Sequence, residues 1–437
     1  ALDLGIGMIH QHFKLVDVFT ATENIALSMG GGRFDLKKVH EKARAICEKY
    51  QFALDLDQKV YEMSVSQKQT LEIVKVLYRG ADILILDEPT AVLTPQETEK
   101  LFSVIRNMKA DGKAVIIITH KLHEVLSISD RVAILRKGEY VGDIATKDAD
   151  EAKLTEMMVG EKVELNIERP EPVNPVKRLD IEHLTVRSAE GITVLDDASF
   201  PVYGGEILGI AGISGNGQKE LVDMLFGFLT PNAGTVTMQS ENLLGLSQQK
   251  LRDKGVALIP EDRMLYGIAG SASIEENLIS DRSAEKRLNH GPLFNMKAIH
   301  DEADRLIEDY AVLCKSRKQQ VGMLSGGNIQ KVVVAREFSG NPVLILADQP
   351  TRGIDVGATE FIRKKLVELS RSGIAVLLIS ADLAEVMELS DSLIVMHGGK
   401  IAAYFEDTST LTDDVMGEYM LGLKTQSEEE IRRVCHD

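Results

Sequence analysis

The chain has 437 residues, of which 50 are basic and 67 are acidic, so its formal net charge at pH 7 is −17. Hydrophobic residues make up 44% and charged residues 27%, which is typical of a folded globular protein and excludes a collagen-like or largely disordered chain. Because no block of Lys and Arg stands out, nucleic acid is not expected as a partner.

The cysteines and the apolar runs limit the class of protein further. The three cysteines lie far apart without a C-x-x-C pair, so neither a disulfide framework nor a zinc site is predicted. The longest apolar runs, at 114–119 and 374–380, are strand-sized and fall short of the ~20 residues of a membrane helix. We therefore expect a soluble protein. Its start at Ala1, without a Met or a signal pattern, predicts a chain cut from inside a longer sequence.

Strand and helix signals alternate along the first part of the chain. The segment 81–87, ADILILD, is an apolar run that ends in an aspartate, and Leu101, Ile105 and Met108 then recur at helical spacing. A second apolar run follows at 114–119. This alternation is typical of an α/β fold with a mainly parallel sheet covered by helices.

The same series of segments occurs twice. The sequence around Asp87, ADILILDEPTAVLT, is similar to the sequence around Asp348, PVLILADQPTRGID, with an offset of 261 residues. Further upstream, Gln11 aligns with Glu261 at an offset of 250. The second copy is therefore expected to contain 11 additional residues, around 264–323.

The repeat predicts two tandem domains. We place the first domain at 1–168, a proline-rich linker at 169–178, the second domain at 179–425 and a C-terminal tail at 426–437. Aligned on the second copy, the first copy would begin well before Ala1, so the first domain is expected to be N-terminally truncated.

A glycine-rich loop follows the strand-like segment EILGI and precedes a helical segment. Its candidate nucleotide-binding residues are Gly212, Ser214, Gly215, Asn216, Gly217, Gln218 and Lys219. Such a loop wraps phosphates with backbone N–H groups at a helix N-terminus. The usual motif continues with Lys and then Ser or Thr, whereas Gln218 and Lys219 stand here, and a lysine displaced by one position points about 100° away. Taken alone, the loop could also be a tight turn without a ligand.

A second phosphate-binding pattern is LSGGNIQK at 324–331. A glycine pair that opens a helix can direct its N–H groups at a phosphate, here from Ser325, Gly326 and Gly327. An ordinary helix cap would look the same if LSGG stood alone. The glycine-rich loop, LSGG and the apolar strand that ends at Asp348 occur together and in order, which favours a nucleotide-binding site.

With these motifs the chain resembles the ATP-binding subunits of ABC transporters, specifically the fused tandem type that serves importers of simple sugars and nucleosides. The segment HQHFKLVDVFTATENI is most similar to the nucleoside branch, and GNGQ, IPEDR and ADQPTRGID are similar to the second half of such proteins. The resemblance covers essentially the whole chain. It implies two tandem P-loop ABC-type nucleotide-binding domains, each with a helical subdomain, that use ATP and Mg²⁺.

The resemblance also implies two composite sites, each between the glycine-rich loop of one half and the LSGG signature of the other. In the first site, Asp87 and Gln11 would hold Mg²⁺ and Glu88 would polarise the attacking water. His120 would contact the γ-phosphate, opposite the LSGG signature. Each residue has an alternative: Asp87 and Glu88 could merely cap a turn, His120 could be an ordinary loop histidine, and Gln11 alone is uninformative.

The second site is expected to be impaired. Four of its positions depart from the family pattern, namely Gln218, Glu261, Gln349 and Ala381, and Asp348 is its remaining candidate metal ligand. The opposing signature, MSVSQKQ at 63–69, lacks the glycine pair. Nucleotide is expected to bind there through loop amides, with slow or absent hydrolysis. Since the first glycine-rich loop is expected upstream of Ala1, we also expect the chain alone to hydrolyse ATP poorly.

The family implies partners at the cytoplasmic face of the cell membrane. These are the permease subunits, and indirectly an extracytoplasmic solute-binding protein. The run HFKLVDVF after Gln11 has no period of 2 or 3.6, so some apolar side chains of 13–19 are expected to be exposed. In the family this segment receives a short helix of the permease. The alternative is that Phe13 and Phe19 pack inside the helical subdomain.

Two other function classes stay open. A soluble ABC ATPase that acts on ribosomes would also have tandem halves, but it usually has a long charged helix pair where this chain has a short proline-rich linker. A non-catalytic regulatory module is favoured if neither site turns over ATP, although the intact DEPT at 87–90 argues against it.

Overall fold

The structure, a computed structural model, describes most of the chain. The residues outside the description are 1–3, 11–12, 29–34, 91–92, 94, 120, 137, 160–166, 189–190, 214 and 436–437. The chain forms two compact units: the first unit is Ala1–Lys162 and the second unit is Val163–Asp437.

The first unit alternates strands and helices in the predicted way. Its described elements are β1 (Ile6–Ile9), α1 (Ala21–Leu27), α2 (Leu36–Tyr50), α3 (Val65–Tyr78), β2 (Ile83–Asp87), α4 (Pro95–Ala110), β3 (Ala114–Ile118), α5 (Leu122–Ile128), β4 (Arg131–Arg136), β5 (Glu139–Ala145) and α6 (Glu151–Val159). The apolar runs at 81–87 and 114–119 are strands, and the helical spacing that starts at Leu101 lies within α4, so these three predictions are confirmed.

Strands β1, β2 and β3 form a parallel sheet in that order. Ile6 pairs with Ile83, which in turn pairs with Ala114. Apolar side chains of the sheet and of α4 share one core, while helices α1, α2 and α3 enclose a second core around Ile25, Leu71 and other apolar residues. The carboxyl ends of β1 and β2 lie at the same edge of the sheet, as the parallel pairing requires.

The second unit is larger. Its described elements are β6 (Val176–Arg187), β7 (Thr193–Gly204), β8 (Ile207–Gly212), α7 (Gln218–Leu225), β9 (Ala233–Met238), β10 (Glu241–Asn242), α8 (Gln248–Asp253), β11 (Val256–Ile259), α9 (Ile274–Ile279), β12 (Asn289–His290), β13 (Leu293–Phe294), α10 (Met296–Asp309), α11 (Gly326–Ser339), β14 (Leu344–Asp348), α12 (Val356–Arg371), β15 (Ala375–Ile379), α13 (Leu383–Leu389), β16 (Ser392–His397), β17 (Lys400–Phe405), α14 (Asp413–Met420) and α15 (Glu428–Cys435).

Five strands of the second unit are parallel, in the order β11, β14, β15, β8, β16. Strand β14 is buried along its whole length, as expected for a parallel strand covered on both faces. Strands β6, β7, β9, β10 and β17 join the same sheet by antiparallel pairing. The sequence pattern does not predict these strands, because buried and exposed residues mix along them and they contain no long apolar run.

Strand pairing confirms the internal repeat. The pairs Ile83–Ala114 and Leu344–Ala375 are related by the offset of 261. Helices α3 and α11 begin after Ser64 and Ser325, which are related by the same offset. The fold is therefore built twice from one pattern of elements.

The additional residues of the second copy lie where the sequence placed them. Thr20 and Ser273 each cap a helix with a capping box, and their offset is 253, so three additional residues precede Ser273. The rest lie between α9 and α11. They include the hairpin β12–β13, which has no counterpart among the described residues of the first unit.

The predicted domain limits remain predictions. Two elements of the second unit lie at or within the predicted linker and tail. Strand β6 begins at Val176, inside the proline-rich segment 169–178, and α15 lies within the segment 426–437. Arg169 forms an ion pair with Asp391 at 2.8 Å, so the start of that segment is packed on the second unit. Within the described parts of the chain, no helix is both long and apolar enough to cross a membrane.

Candidate nucleotide-binding site

The glycine-rich loop of the second unit connects β8 to α7. Gly215 and Gly217 have φ angles of 93° and 99°, which L side chains rarely adopt. The Asn216 side chain accepts a hydrogen bond from the Gly398 N–H at 2.9 Å, so the loop is tied to the β16–β17 turn. A loop of this shape at the start of a helix directs backbone N–H groups toward an anion.

The side chain of Gln218 is turned back into this loop. It is buried, and its Nε2 donates to the Ile213 carbonyl oxygen at 3.3 Å. A Cβ built on Gly212 would lie 2.3 Å from the same nitrogen and 2.8 Å from the Met396 carbonyl oxygen, and the backbone contact disfavours any larger residue there. Gln218 thus fills part of the loop with a neutral amide, where the usual lysine would place a charge.

Lys219 does not replace the missing lysine. Its Nζ lies 2.8 Å from Asp223 Oδ2, one helical turn further along α7. This hydrogen bond raises the pKa of Lys219, with smaller contributions from Glu261 and Asp348. The ammonium group is therefore paired outside the loop. Ser214 was also predicted to bind nucleotide, but it lies outside the described residues.

Asp348 ends β14 in the second unit, close to other acidic groups. Burial raises the pKa of Asp348 to about 7, and Glu261 acts in the same direction. Glu261 itself forms an ion pair with Arg352. A carboxyl group that is about half protonated at pH 7 is a weaker ligand for Mg²⁺ than a fully ionised one.

Gln349 follows Asp348 in a left-handed backbone conformation, with φ 53°. Its N–H donates to the Ile379 carbonyl oxygen at 2.8 Å. Its side-chain oxygen accepts from the Ala381 N–H at 3.0 Å. The amide is therefore held against the end of β15, and it cannot take a proton from water as a carboxylate would.

Asp87 and Glu88 occupy the matching positions in the first unit. Asp87 ends β2, and Glu88 has φ 47° with its N–H donating to the Ile118 carbonyl oxygen at 2.8 Å. The backbone at Glu88 is thus nearly the same as that at Gln349, so the two halves differ here in side-chain chemistry. Gln11 and His120, the other two candidates of this half, lie outside the described residues.

The signature helices differ at their first turn. Ser64 accepts a hydrogen bond from the Gln67 N–H at 3.2 Å, while Gln67 Oε1 accepts from the Ser64 N–H at 2.9 Å. This reciprocal cap pairs the N–H groups of Ser64 and Gln67 with side chains of the same helix start. Ser325 makes no such cap on α11, and its hydroxyl instead accepts from Asn328 Nδ2 at 2.9 Å.

Both signature glycines lie close to neighbouring groups, and the space is tightest at Gly327. A Cβ on Gly327 would lie 2.5 Å from Asp355 Oδ2, and one on Gly326 would lie 3.0 Å from Arg263 Nη2. The start of α11 is therefore packed against the loop that follows β14. Its first backbone N–H groups are not used by a side-chain cap, which leaves them available to an anion.

Sequence reasoning missed two kinds of residue near these sites. Thr90 donates to Glu124 at 2.6 Å, and Thr351 donates to Glu385 at 2.7 Å, so a buried Thr–Glu pair repeats at the offset of 261 behind each strand end. The repeat itself could have revealed these pairs. Asn328 and Arg263 lie within the quoted patterns LSGGNIQK and IPEDR, but their contacts with Leu313 and with the loop after β14 could not be read from those patterns.

The sequence matches the ABC transporter family over residues 1–91 and 195–352. The guanosine import ATP-binding protein NupO of Bacillus subtilis is 40% identical, over 98% of this chain and 84% of that protein. The nucleoside import ATP-binding protein NupA of Lactococcus lactis is 37% identical, over 97% and 84%. The glucose import ATP-binding protein TsgD13 of Haloferax volcanii is 39% identical, over 92% and 79%.

The α/β fold, the glycine-rich loop and these matches agree on the class of protein. The chain belongs to the ABC transporter family. It is an ABC-type ATPase, and the resemblance inferred from its motifs is confirmed.

Proposed function

We propose that the protein is the ATP-binding and ATP-hydrolysing subunit of an importer of nucleosides or simple sugars. The relatives reported above are named as import ATP-binding proteins for guanosine, nucleosides or glucose. A further relative, from Streptomyces avermitilis, is named as a ribose import ATP-binding protein and is 36% identical. The subunit would bind permease subunits at the cytoplasmic face of the membrane. A solute-binding protein would act on the other face.

The proposal places two unequal composite sites in the parent protein, one competent and one degenerate, and one observation carries it. The groups that catalysis needs are split between the units: Glu88 keeps its carboxylate in the first, and Ser325 keeps an uncapped signature in the second. The family arrangement pairs these two elements in one site. Gln349 and the self-capped Ser64 would then belong together in the other site.

In the competent site, Asp87 and Gln11 would hold Mg²⁺ and Glu88 would orient and polarise the attacking water. The donor set fits this ion, because Mg²⁺ in ATP sites is bound by one or two carboxylates together with phosphate oxygens. Mg²⁺ would supply neutralising charge on the phosphates. His120 would contact the γ-phosphate, and the N–H groups of Gly326 and Gly327 would stabilise it from the opposite side.

In the second site, nucleotide would be held mainly by the amides of the loop at 212–217. Gln218 contributes no charge, Lys219 is paired with Asp223, and Gln349 provides no general base. The site would therefore bind without appreciable turnover. This proposal keeps the domain limits 1–168 and 179–425, the linker 169–178 and the tail 426–437.

The test compares the two strand ends by single substitutions. Glu88→Gln should lower ATP hydrolysis by about 10²–10⁴-fold, because it removes the general base, whereas Gln349→Ala should change it by less than about twofold. Glutamine already occupies the same left-handed conformation at position 349, so Glu88→Gln places no new demand on the backbone. Because the chain alone is expected to hydrolyse ATP poorly, phosphate release would be measured on the importer reconstituted in proteoliposomes with the parent subunit.

Gln349→Glu serves as the converse variant. It should not activate the second site, because Gln218 and Lys219 still leave the phosphates without their usual lysine and hydroxyl. Fluorescent ATP binding, measured in parallel, separates loss of binding from loss of turnover. Equal losses for the 88 and 349 substitutions, or full activity of Glu88→Gln, would contradict the proposal.

A further inference from the structure

Arg263 links three segments of the second unit. Its Nη1 donates to the Arg352 carbonyl oxygen at 2.7 Å, and its Nη2 donates to the Gly353 carbonyl oxygen at 3.0 Å. A Cβ on Gly326 would lie 3.0 Å from Nη2. One guanidinium group therefore connects the segment after β11 to the loop after β14, and it lies beside Gly326 at the start of α11.

The position of Arg263 is itself well defined. It begins a short π-helical turn, Arg263–Gly267, that is capped by Asp262. The Asp262 carboxylate accepts from the N–H groups of Met264 and Leu265 at 2.9 and 3.0 Å. The backbone that carries the guanidinium is thus fixed next to Glu261, two residues earlier.

The first unit has no arginine at this place. At the offset of 250 that aligns Gln11 with Glu261, Phe13 takes the position of Arg263. Phe13 is half-buried and has no hydrogen-bonding group in its side chain. The arginine therefore occurs in the half in which the signature serine, Ser325, does not cap its helix. The other half, in which Ser64 caps its own helix, has no arginine at the matching position.

We infer that Arg263 is a positioning residue for ATP hydrolysis at the competent site. It holds the loop at 352–353 against Gly326, so that the signature N–H groups are already placed when the phosphates arrive. The planar guanidinium donates from two nitrogens in a fixed geometry to two carbonyl oxygens, whereas the three donors of an ammonium all radiate from one nitrogen. The inference rests on the proposed function, since it assigns Ser325 and its neighbours to the site that contains Glu88.

Arg263→Gln and Arg263→Lys test this role in the reconstituted importer. For both variants we expect kcat to fall about 10- to 100-fold, which is the scale of loss for a small misplacement of groups around a reacting centre. The KM for ATP should change less than about threefold, because the signature acts mainly in the transition state. The kcat of Arg263→Lys should be little higher than that of Arg263→Gln, although lysine keeps the positive charge.

Arg371→Gln is the matched control. Arg371 also donates to two carbonyl oxygens, of Pro170 at 2.5 Å and Gly205 at 2.9 Å, and it forms a bidentate ion pair with Asp391 at 2.7 and 3.0 Å. It lies at the amino end of the parallel strands, opposite the site. We expect this variant to lower the thermal midpoint without a selective loss of kcat. Circular dichroism melting of all three variants separates misfolding from misplacement.

The inference is overturned if Arg263→Gln retains kcat within about twofold of wild type, or if Arg263→Lys restores it fully. It is also overturned if Arg371→Gln reproduces the same loss of kcat. Glu88→Gln is measured in the same series. An active Glu88→Gln variant refutes the proposed function, whereas an inactive Glu88→Gln beside a fully active Arg263→Gln refutes the role of Arg263 alone.

Discussion

Glu337 is a fully buried carboxylate on the signature helix α11. It forms a bidentate ion pair with Arg252 at 2.7 and 3.0 Å, accepts from Arg336 at 2.9 Å and accepts from the Leu258 N–H at 3.1 Å. Burial opposes its ionisation, but Arg336 and Arg252 outweigh that effect and hold the pKa of Glu337 below its usual range. The charge thus ties α11 to α8 and β11.

We predict that Glu337→Gln destabilises the protein by about 3–5 kcal/mol at pH 7, because it leaves the buried Arg336 and the half-buried Arg252 without a counter-charge. A carboxyl whose pKa is lowered on folding contributes stability above its unfolded pKa, and that contribution is lost as pH falls through the folded pKa. The difference between wild type and variant should therefore shrink as the pH falls below the ordinary glutamate pKa, about 4.3. Urea unfolding of wild type and variant at a series of pH values from 7 down to about 3 measures how their difference changes.

Glu368→Gln is the control for this prediction. Glu368 pairs with Lys365 at 2.7 Å on the surface of α12, where ion pairs contribute about 0–1 kcal/mol. An effect of Glu337→Gln no larger than that of Glu368→Gln would show that the buried network does not stabilise the fold.

The residues differ in how far the sequence could predict them. Asp87 and Asp348 were predictable, because each ends an apolar strand and the two sequences repeat. Glu337 was not, since its partner Arg252 is 85 residues away along the chain and the first copy has Val76 at the same position. The raised pKa of Asp348 likewise depends on burial that only the folded sheet provides.

At the scale of elements, the two signature helices begin with the same residue type but use it differently. The pattern Ser64-x-x-Gln67 is a capping box, which is visible in the sequence alone. At Ser325 the equivalent residue is Asn328, whose side chain is too short for the same reciprocal bond and contacts the serine hydroxyl and the Leu313 N–H. The start of α3 is therefore capped by its own side chains, whereas the start of α11 has no side-chain cap.

This difference predicts opposite effects of two alanine substitutions. Ser64→Ala should lower the free energy of unfolding by about 1 kcal/mol, the usual effect of removing an N-cap, with little change in ATP hydrolysis. Ser325→Ala should change stability less but should lower hydrolysis, because Ser325 faces the nucleotide in the proposed site. Urea unfolding of both variants measures the loss of stability, and phosphate release measures the loss of ATP hydrolysis. Equal stability losses, or loss of hydrolysis only in Ser64→Ala, would contradict this account.

At the scale of the whole molecule, duplication was the feature most open to prediction. Two offsets, 261 and 250, are enough to locate both copies and the added residues from the sequence. The antiparallel strands escaped prediction, because their mixed burial pattern resembles that of loops. Residue contacts such as that of Arg263 with Gly353 escaped it as well, because they join segments 90 residues apart.

The apolar side chains of the segment after Gln11 are only partly exposed, so the prediction made from their spacing holds for some of them. Val16, Val18 and Phe19 are exposed, by 40, 65 and 36%, as the lack of a period predicted. Leu15 instead packs against the core of the first helices, and Phe13 is half-buried. The Asn24 side chain bonds both the N–H and the carbonyl oxygen of Val16, at 2.8 and 3.1 Å, so the backbone is held although the side chains are exposed.

This exposed apolar segment is the surface that we expect to meet the permease. Contiguous apolar surface on a folded protein commonly marks a partner site. Val16→Asp combined with Val18→Asp should leave the thermal midpoint within a few degrees of wild type, because neither side chain is buried, and should abolish co-purification with the permease. Leu135→Asp adds the same kind of charge at an exposed residue of the β4–β5 hairpin and should leave assembly intact. If the double variant still assembles and supports transport, the permease binds elsewhere. If it unfolds, these side chains support the fold, and the segment is not a docking surface.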